Sequence, residues 1–140
     1  MYKTHKYTVY FGNIIENLSL IDDQSISLII CHLACGTSKD KWECSYDLNR
    51  IWKEYNRILK NPSGVVLLFS QQPFTSILIS SNIDNYKYNL IWKKNRTTQY
   101  LLANYRPLKC TEDICVFSPG GAAASSKNTG NMTYNPQGLK

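Results

Sequence analysis

Apolar residues fall in a few short runs set between polar turns. The run Ser27-Leu28-Ile29-Ile30-Cys31-His32-Leu33-Ala34-Cys35-Gly36 has the pattern of a buried parallel strand that delivers a loop at its carboxyl end. Val65-Val66-Leu67-Leu68-Phe69 repeats that pattern. Between them Leu48, Ile51, Trp52, Tyr55, Ile58 and Leu59 recur at three- and four-residue steps, with Arg50, Lys53, Glu54 and Arg57 opposite. Asp47 predicts the N-cap of this helix, which runs to about Lys60, and Asn61-Pro62-Ser63-Gly64 stops it. Residues 27 to 69 therefore read as a strand-helix-strand unit with a parallel pairing.

The flanking pattern extends an α/β reading. Tyr7 to Phe11 has strand composition, Asn13 to Leu20 predicts a short helix, and Asp22-Asp23-Gln24-Ser25 is a polar turn. After the second strand, Ser70-Gln71-Gln72-Pro73-Phe74 leads into a helix through about Ser81, with Pro73 in its first turn. Tyr86 to Trp92 alternates as a strand, Asn95 to Lys109 reads as a long functional loop, and Ile114 to Phe117 as a last short strand. From Ser118 the composition turns to Gly, Ala and Ser, so the expected division is a domain over 1–118 and a mobile loop and tail over 119–140.

A chain of 140 residues with 43% hydrophobic and 19% charged residues supports one folded domain. No apolar run approaches bilayer-spanning length and the amino terminus lacks a signal-peptide pattern, so the cytoplasm is the expected location. Five Cys without framework spacing point to free thiols in a reducing compartment. The net charge is +6, and the segment Asn85 to Cys110 alone carries Lys87, Lys93, Lys94, Arg96, Arg106 and Lys109 with no Asp or Glu. Tyr86, Tyr88, Trp92, Tyr100 and Tyr105 interleave with these cations, a mixture that suits nucleic-acid backbones and bases better than a plain solvated face. The candidate nucleic-acid or partner contacts are Lys87, Lys93, Lys94, Arg96, Tyr100, Arg106 and Lys109.

Two sharper chemistries are weaker. Cys31, His32, Cys35 and Cys44 include zinc-ligand types, yet their spacing matches no standard site, and neighbouring strand residues point to opposite faces. A nucleophile built from Cys35 with His32 or His5 lacks an orienting third group. Buried inert thiols beside a loop His are the preferred reading, and no metal is expected.

Several segments in order carry a family likeness: Leu28-Ile29-Ile30-Cys31-x-Leu33-x-x-Gly36-Thr37-x-x-x-Lys41-Trp42, Tyr55 to Leu59, Phe69-Ser70-Gln71-Gln72-Pro73-Phe74-Thr75-Ser76, Ile91-Trp92-x-Lys94, Arg106-Pro107-Leu108, and Thr133 to Leu139. Over about Tyr7 to Leu139 the chain resembles the amino-group DNA methyltransferases that modify adenine N6 or cytosine N4, in the permuted order common in phages. The resemblance implies a truncated Rossmann-like α/β fold: a mixed, mostly parallel sheet flanked by helices. In that family the loop after the central strand carries an Asp-Pro-Pro-Tyr-type motif whose acid accepts from the target amino group and whose ring stacks on the flipped base. His32, Leu33, Ala34 and Cys35 stand in those four places. The Gly-rich S-adenosylmethionine motif of the family lies beyond the part represented, and no Phe-x-Gly-x-Gly occurs.

The resemblance therefore implies a catalytically inactive relative turned to binding, one version being a phage-encoded inhibitor of a host nuclease defence of the anti-CRISPR or anti-restriction type. The alternatives are one subunit of a split amino-methyltransferase, or a DNA-binding remnant of one. No cofactor is expected, S-adenosylmethionine only if a partner completes the fold. The expected partner is nucleic acid or a nucleic-acid-binding protein, and no membrane. The family strand that flanks the central one is not represented, which leaves an apolar sheet edge. A homodimer or hetero-complex through that edge is expected.

Overall fold

A computed structural model of the chain describes residues 1–3, 6–33, 47–97, 100–123, 130–136 and 138. The central unit is the one the apolar runs predict. β3 (Leu28–His32) pairs in parallel with β4 (Val65–Ser70), Leu28 opposite Val65 and His32 opposite Phe69. They are joined through α2 (Leu48–Ile58), whose Asp47 cap accepts from the N–H of Asn49 at 3.0 Å and of Arg50 at 3.3 Å. The helical stripe Ile51, Trp52, Tyr55 and Ile58 is buried against the sheet. α3 (Phe74–Ser80) follows β4 with Pro73 at its cap, and then come β5 (Tyr86–Lys93) and β6 (Thr111–Phe117).

The four strands lie in the order β3-β4-β6-β5, with β6 antiparallel to both neighbours. β3, β4 and β5 therefore share one direction, yet two of the three pairings are antiparallel. This corrects the expected mostly parallel sheet. The connection from β5 to β6 has no apolar helical stripe with which to cross over, so the chain turns back and inserts β6 beside β4.

Both α2 and α3 cover one face of the sheet. Leu33, Val66, Leu68, Cys115 and Phe117 form the core there with Leu18 of α1 (Ile14–Leu18), Trp52 and Leu78. Trp52 lies 4.7 Å from Phe117 between ring centroids and donates its indole N–H to Ser81 Oγ at 2.7 Å. Arg57 holds α1 to α2 by donating to the carbonyls of Leu18 and Ile21, each at 2.8 Å, while pairing with Glu54 and Asp23. The opposite face carries a smaller cluster of Val65, Val116 and Met132, with Leu67 and Tyr88 against it. Beyond that cluster Leu28, Ile30, Leu90 and Trp92 stay between 46% and 60% exposed.

Three boundaries differ from expectation. Tyr7 to Phe11 shortens to β2 (Thr8–Val9), which pairs with β1 (Tyr2–Lys3) in a separate two-stranded ribbon. β6 starts at Thr111, three residues before Ile114. Glu112 and Asp113 are poor strand formers, but Glu112 pairs with Lys94 across the strands and Asp113 accepts from Thr75 Oγ1 at 2.9 Å. The described part of the expected tail packs back: Met132 is buried, its N–H donates to Gly121 O at 3.0 Å, and Thr133 N–H donates to Ser63 O at 3.0 Å. Ala34, Cys35, Cys44 and His5, weighed above as candidate chemistry, lie outside the described residues.

Candidate nucleic-acid interface

Because β3, β4 and β5 run together, their carboxyl ends meet at one edge of the sheet, where ligands of open α/β sheets sit. His32, Ser70 with Gln71 and Gln72, and Lys93 with Lys94 are placed there by β3, β4 and β5. β6 enters from the same edge with Thr111 and Glu112.

Strand alternation parts His32 from Leu33, the first two places that the resemblance aligns with the family motif. Leu33 turns into the core and is 3% exposed. His32 faces the open side, where its ring stacks on Phe69 at 5.9 Å and 24°. Phe69 in turn meets Trp92 edge-on at 5.8 Å. His32, Phe69, Trp92 and Ile114 line a shallow cavity of about 440 Å³ on this side. Glu112 borders the cluster, with Oε2 4.0 Å from His32 Nε2 and Oε1 paired to Lys94, whose Nζ lies 5.4 Å over the Trp92 ring.

On the helix side of the edge a buried polar chain anchors the Ser70-Gln71-Gln72-Pro73 turn. Ser70 Oγ lies 2.9 Å from Thr75 Oγ1 and 3.3 Å from Cys115 Sγ, and Thr75 reaches Asp113. Burial pushes the Cys115 thiol above its ordinary range despite the Ser70 contact, and burial likewise raises the Tyr86 hydroxyl. The anchored turn meets the basic loop where Lys109 Nζ donates to Gln72 O at 3.3 Å.

The basic candidates do not form one patch. Lys93, Arg96, Arg106 and Lys109 are exposed, as is Tyr100 at the start of a short 3₁₀ turn (Tyr100–Leu102). Lys87 sits near the opposite end of β5, six residues and roughly 20 Å from Lys93 at strand rise. It belongs to the other edge of the sheet. Lys94 is held by Glu112, so its charge is neutralised within the fold. Glu112 was not a sequence candidate; it is the first acid after the acid-free stretch that ends at Cys110, and that position was the available signal.

No protein-family model and no curated protein sequence matches the chain. Solved structures do. TTHA0409 from Thermus thermophilus, described as a DNA modification methylase, superimposes with a TM-score of 0.57 at 20% identity, covering 83% of this chain and 54% of its own. Over the matched residues the two share a Rossmann-like α/β fold. TTHA0409 complexed with S-adenosyl-L-methionine gives a TM-score of 0.52 at 16% identity, over 83% of this chain and 57% of its own. The M1.HpyAVI–SAM complex gives 0.51 at 19% identity, over 75% of this chain and 49% of its own. The chain spans about half the length of these methylases. No helix among the described residues is long and apolar enough to cross a membrane.

Proposed function

We propose that this chain is a methylase-fold binding protein that contacts nucleic acid at the carboxyl edge of its sheet and transfers no methyl group. The observation that carries the reading is the fate of the acceptor positions. Where the resemblance calls for a carboxylate and a rigid Pro, an outward imidazole at His32 and a buried aliphatic chain at Leu33 stand instead. The exposed cations Lys93, Arg96, Arg106 and Lys109 and the exposed rings Tyr100 and Tyr105 supply the means of contact.

The test joins two assays on the same protein. Radiolabelled S-adenosylmethionine with duplex DNA is expected to give no incorporation. Labelled duplex is expected to bind with an affinity that falls as salt rises. In a variant with Lys93, Arg96, Arg106 and Lys109 changed to Ala, binding weakens and the salt slope drops by about one for each phosphate-binding cation removed. Methyl incorporation by the chain alone would sink the inactive reading, and an unchanged slope would sink the interface.

A second reading, one subunit of a split amino-methyltransferase, is supported by the fold shared with methylases solved with S-adenosylmethionine. It requires that a partner bring the cofactor and an acceptor, and predicts methyl transfer on mixing the two. The phage-encoded nuclease inhibitor rests on the family resemblance alone. It predicts a protein complex that survives nuclease treatment.

A further inference from the structure

A cavity of about 550 Å³ opens on the uncovered face of the sheet, larger than the one beside His32 and sharing no residue with it. β5 contributes Tyr88 and Leu90, and the segment returning after β6 contributes Ala122, Ala123, Met132 and Tyr134. Tyr88 pairs with Val116 and Met132 packs with Val65, the first residue of β4, so the cavity stands toward the opposite end of the sheet from the basic loop. Its wall is fixed by backbone hydrogen bonds: Gly121 N–H donates to Gly130 O at 2.9 Å, Met132 N–H to Gly121 O at 3.0 Å, and Thr133 N–H to Ser63 O at 3.0 Å. Gly121, Ala122 and Ala123 bring no side chain long enough to fill the space they border. The result is a preformed cavity of a size that suits a small molecule of two or three rings.

The lining selects its occupant by charge and by shape. Among the described residues it holds no Asp, Glu, Lys, Arg or His. An ion placed there would give up water and find no opposite charge, and the chain's net charge of +6 adds repulsion for a cation. What the lining offers instead is ring and thioether surface. Met132, 8% exposed, forms the floor with half-buried Tyr88, while Tyr134, 67% exposed, and Leu90, 48% exposed, stand at the mouth. Rings pack on rings in offset or edge-on geometry, and a methionine sulfur packs favourably against an aromatic ring. A flat aromatic group therefore gains more here than an aliphatic group of equal area. Asn131, also in the lining, carries an amide that can donate to a ring nitrogen.

We propose that this cavity is a binding site for a neutral planar aromatic small molecule, a fused heteroaromatic ring system in particular, with Tyr88 and Tyr134 as its ring contacts and Met132 as its floor. The site goes beyond the nucleic-acid reading and does not depend on it.

The experiment uses the two methionines of the full chain, Met1 and Met132. Methyl-labelled protein gives a carbon–proton spectrum in which Met132 reports the cavity and Met1, 77% exposed at the terminus, serves as the reference. The probe is quinoline at neutral pH. It is titrated beside N-methylquinolinium, which adds a charge at nearly the same shape, and cyclohexanol, which is neutral but not flat. Quinoline is expected to move the Met132 methyl saturably, with a Kd on the order of 1 mM for a group of this size, and to leave Met1 and the Trp92 indole N–H fixed. N-methylquinolinium and cyclohexanol are expected to bind at least about ten-fold more weakly. Tyr134→Ala is expected to weaken quinoline about five-fold and Tyr134→Phe to keep it, while Tyr100→Ala, which removes an exposed ring outside the cavity, changes nothing.

A Met132 methyl that stays fixed at the solubility limit of quinoline, or that only moves in step with Met1, overturns the site. Equal binding of N-methylquinolinium overturns the neutral class of ligand, and equal binding of cyclohexanol overturns the planar one. Because the Tyr134 ring is exposed, its removal leaves the core untouched, and quinoline binding unchanged in Tyr134→Ala overturns its role as a contact. A shift of Trp92 without one of Met132 places the ring elsewhere on the sheet and overturns the proposal.

Discussion

Cys115 and Tyr86 make the stability of this protein sensitive to alkali, because both are held in their neutral forms by burial. Their folded-state values lie above the ordinary 9.0 and 10.0, so the unfolded chain ionises first as pH rises. The stability they contribute is complete below about pH 9 and is lost above it, as pH climbs toward the raised folded values. Denaturant midpoints are expected to stay level from about pH 7 to about 8.5 and to fall beyond about pH 9, and Cys115→Ala is expected to remove part of that fall. A midpoint flat to about pH 10.5 would contradict this. At the same scale, Leu68 has no exposed surface and sits under α2, so Leu68→Ala is expected to cost about 2–5 kcal/mol by urea titration.

At the scale of elements, α2 depends on its cap as much as on its stripe. Asp47 satisfies two amide groups of the first turn that have no partner within the helix. Asp47→Ala is expected to cost about 1 kcal/mol, and Asp47→Asn much less, in the same titration. The return of the chain after β6 has a different dependence. A side chain at Gly120 would run into the Pro62 carbonyl and the Met132 amide, both backbone atoms, so Gly120→Ala must push the returning segment off the sheet. The expected outcome is faster proteolysis between residues 119 and 136 with the strands still protected, checked by limited digestion and mass spectrometry. Cutting at the wild-type rate would show that the segment absorbs the added methyl.

At the scale of the whole molecule, the sheet is covered on one face and left apolar on much of the other, and among the described residues β3 is an edge strand. Leu28 and Ile30 face water from that edge, a combination that invites pairing with another chain. Self-association that rises with concentration is the expected result in light scattering. Ile30→Lys, a charge on an exposed strand position, is expected to restore the 16.1 kDa monomer without loss of thermal stability. A wild-type monomer at every concentration tested would show that the edge is not an interface between copies.

The local period of the chain settles what local physics can settle. The strand-helix-strand unit, the Asp47 cap, the parallel pairing of β3 with β4 and the opposite facing of Cys31 and His32 all follow from apolar spacing, because burial selects one face and alternation does the rest. The shared carboxyl edge of β3 and β4 was legible too, while the direction of β5 was not. Only the tertiary structure decided the rest. β6 enters antiparallel between β4 and β5, and that insertion sets Glu112 beside His32 and against Lys94 of the basic run. Lys87 and Lys93 stand at opposite ends of β5, a separation that the strand itself sets whatever it pairs with. Residues 112 and 92 face one another because two strands pair in one register out of many. No local preference of Glu, Lys or Trp encodes that register, so the cluster of Glu112, His32, Lys94 and Trp92 exists only once the strands have paired.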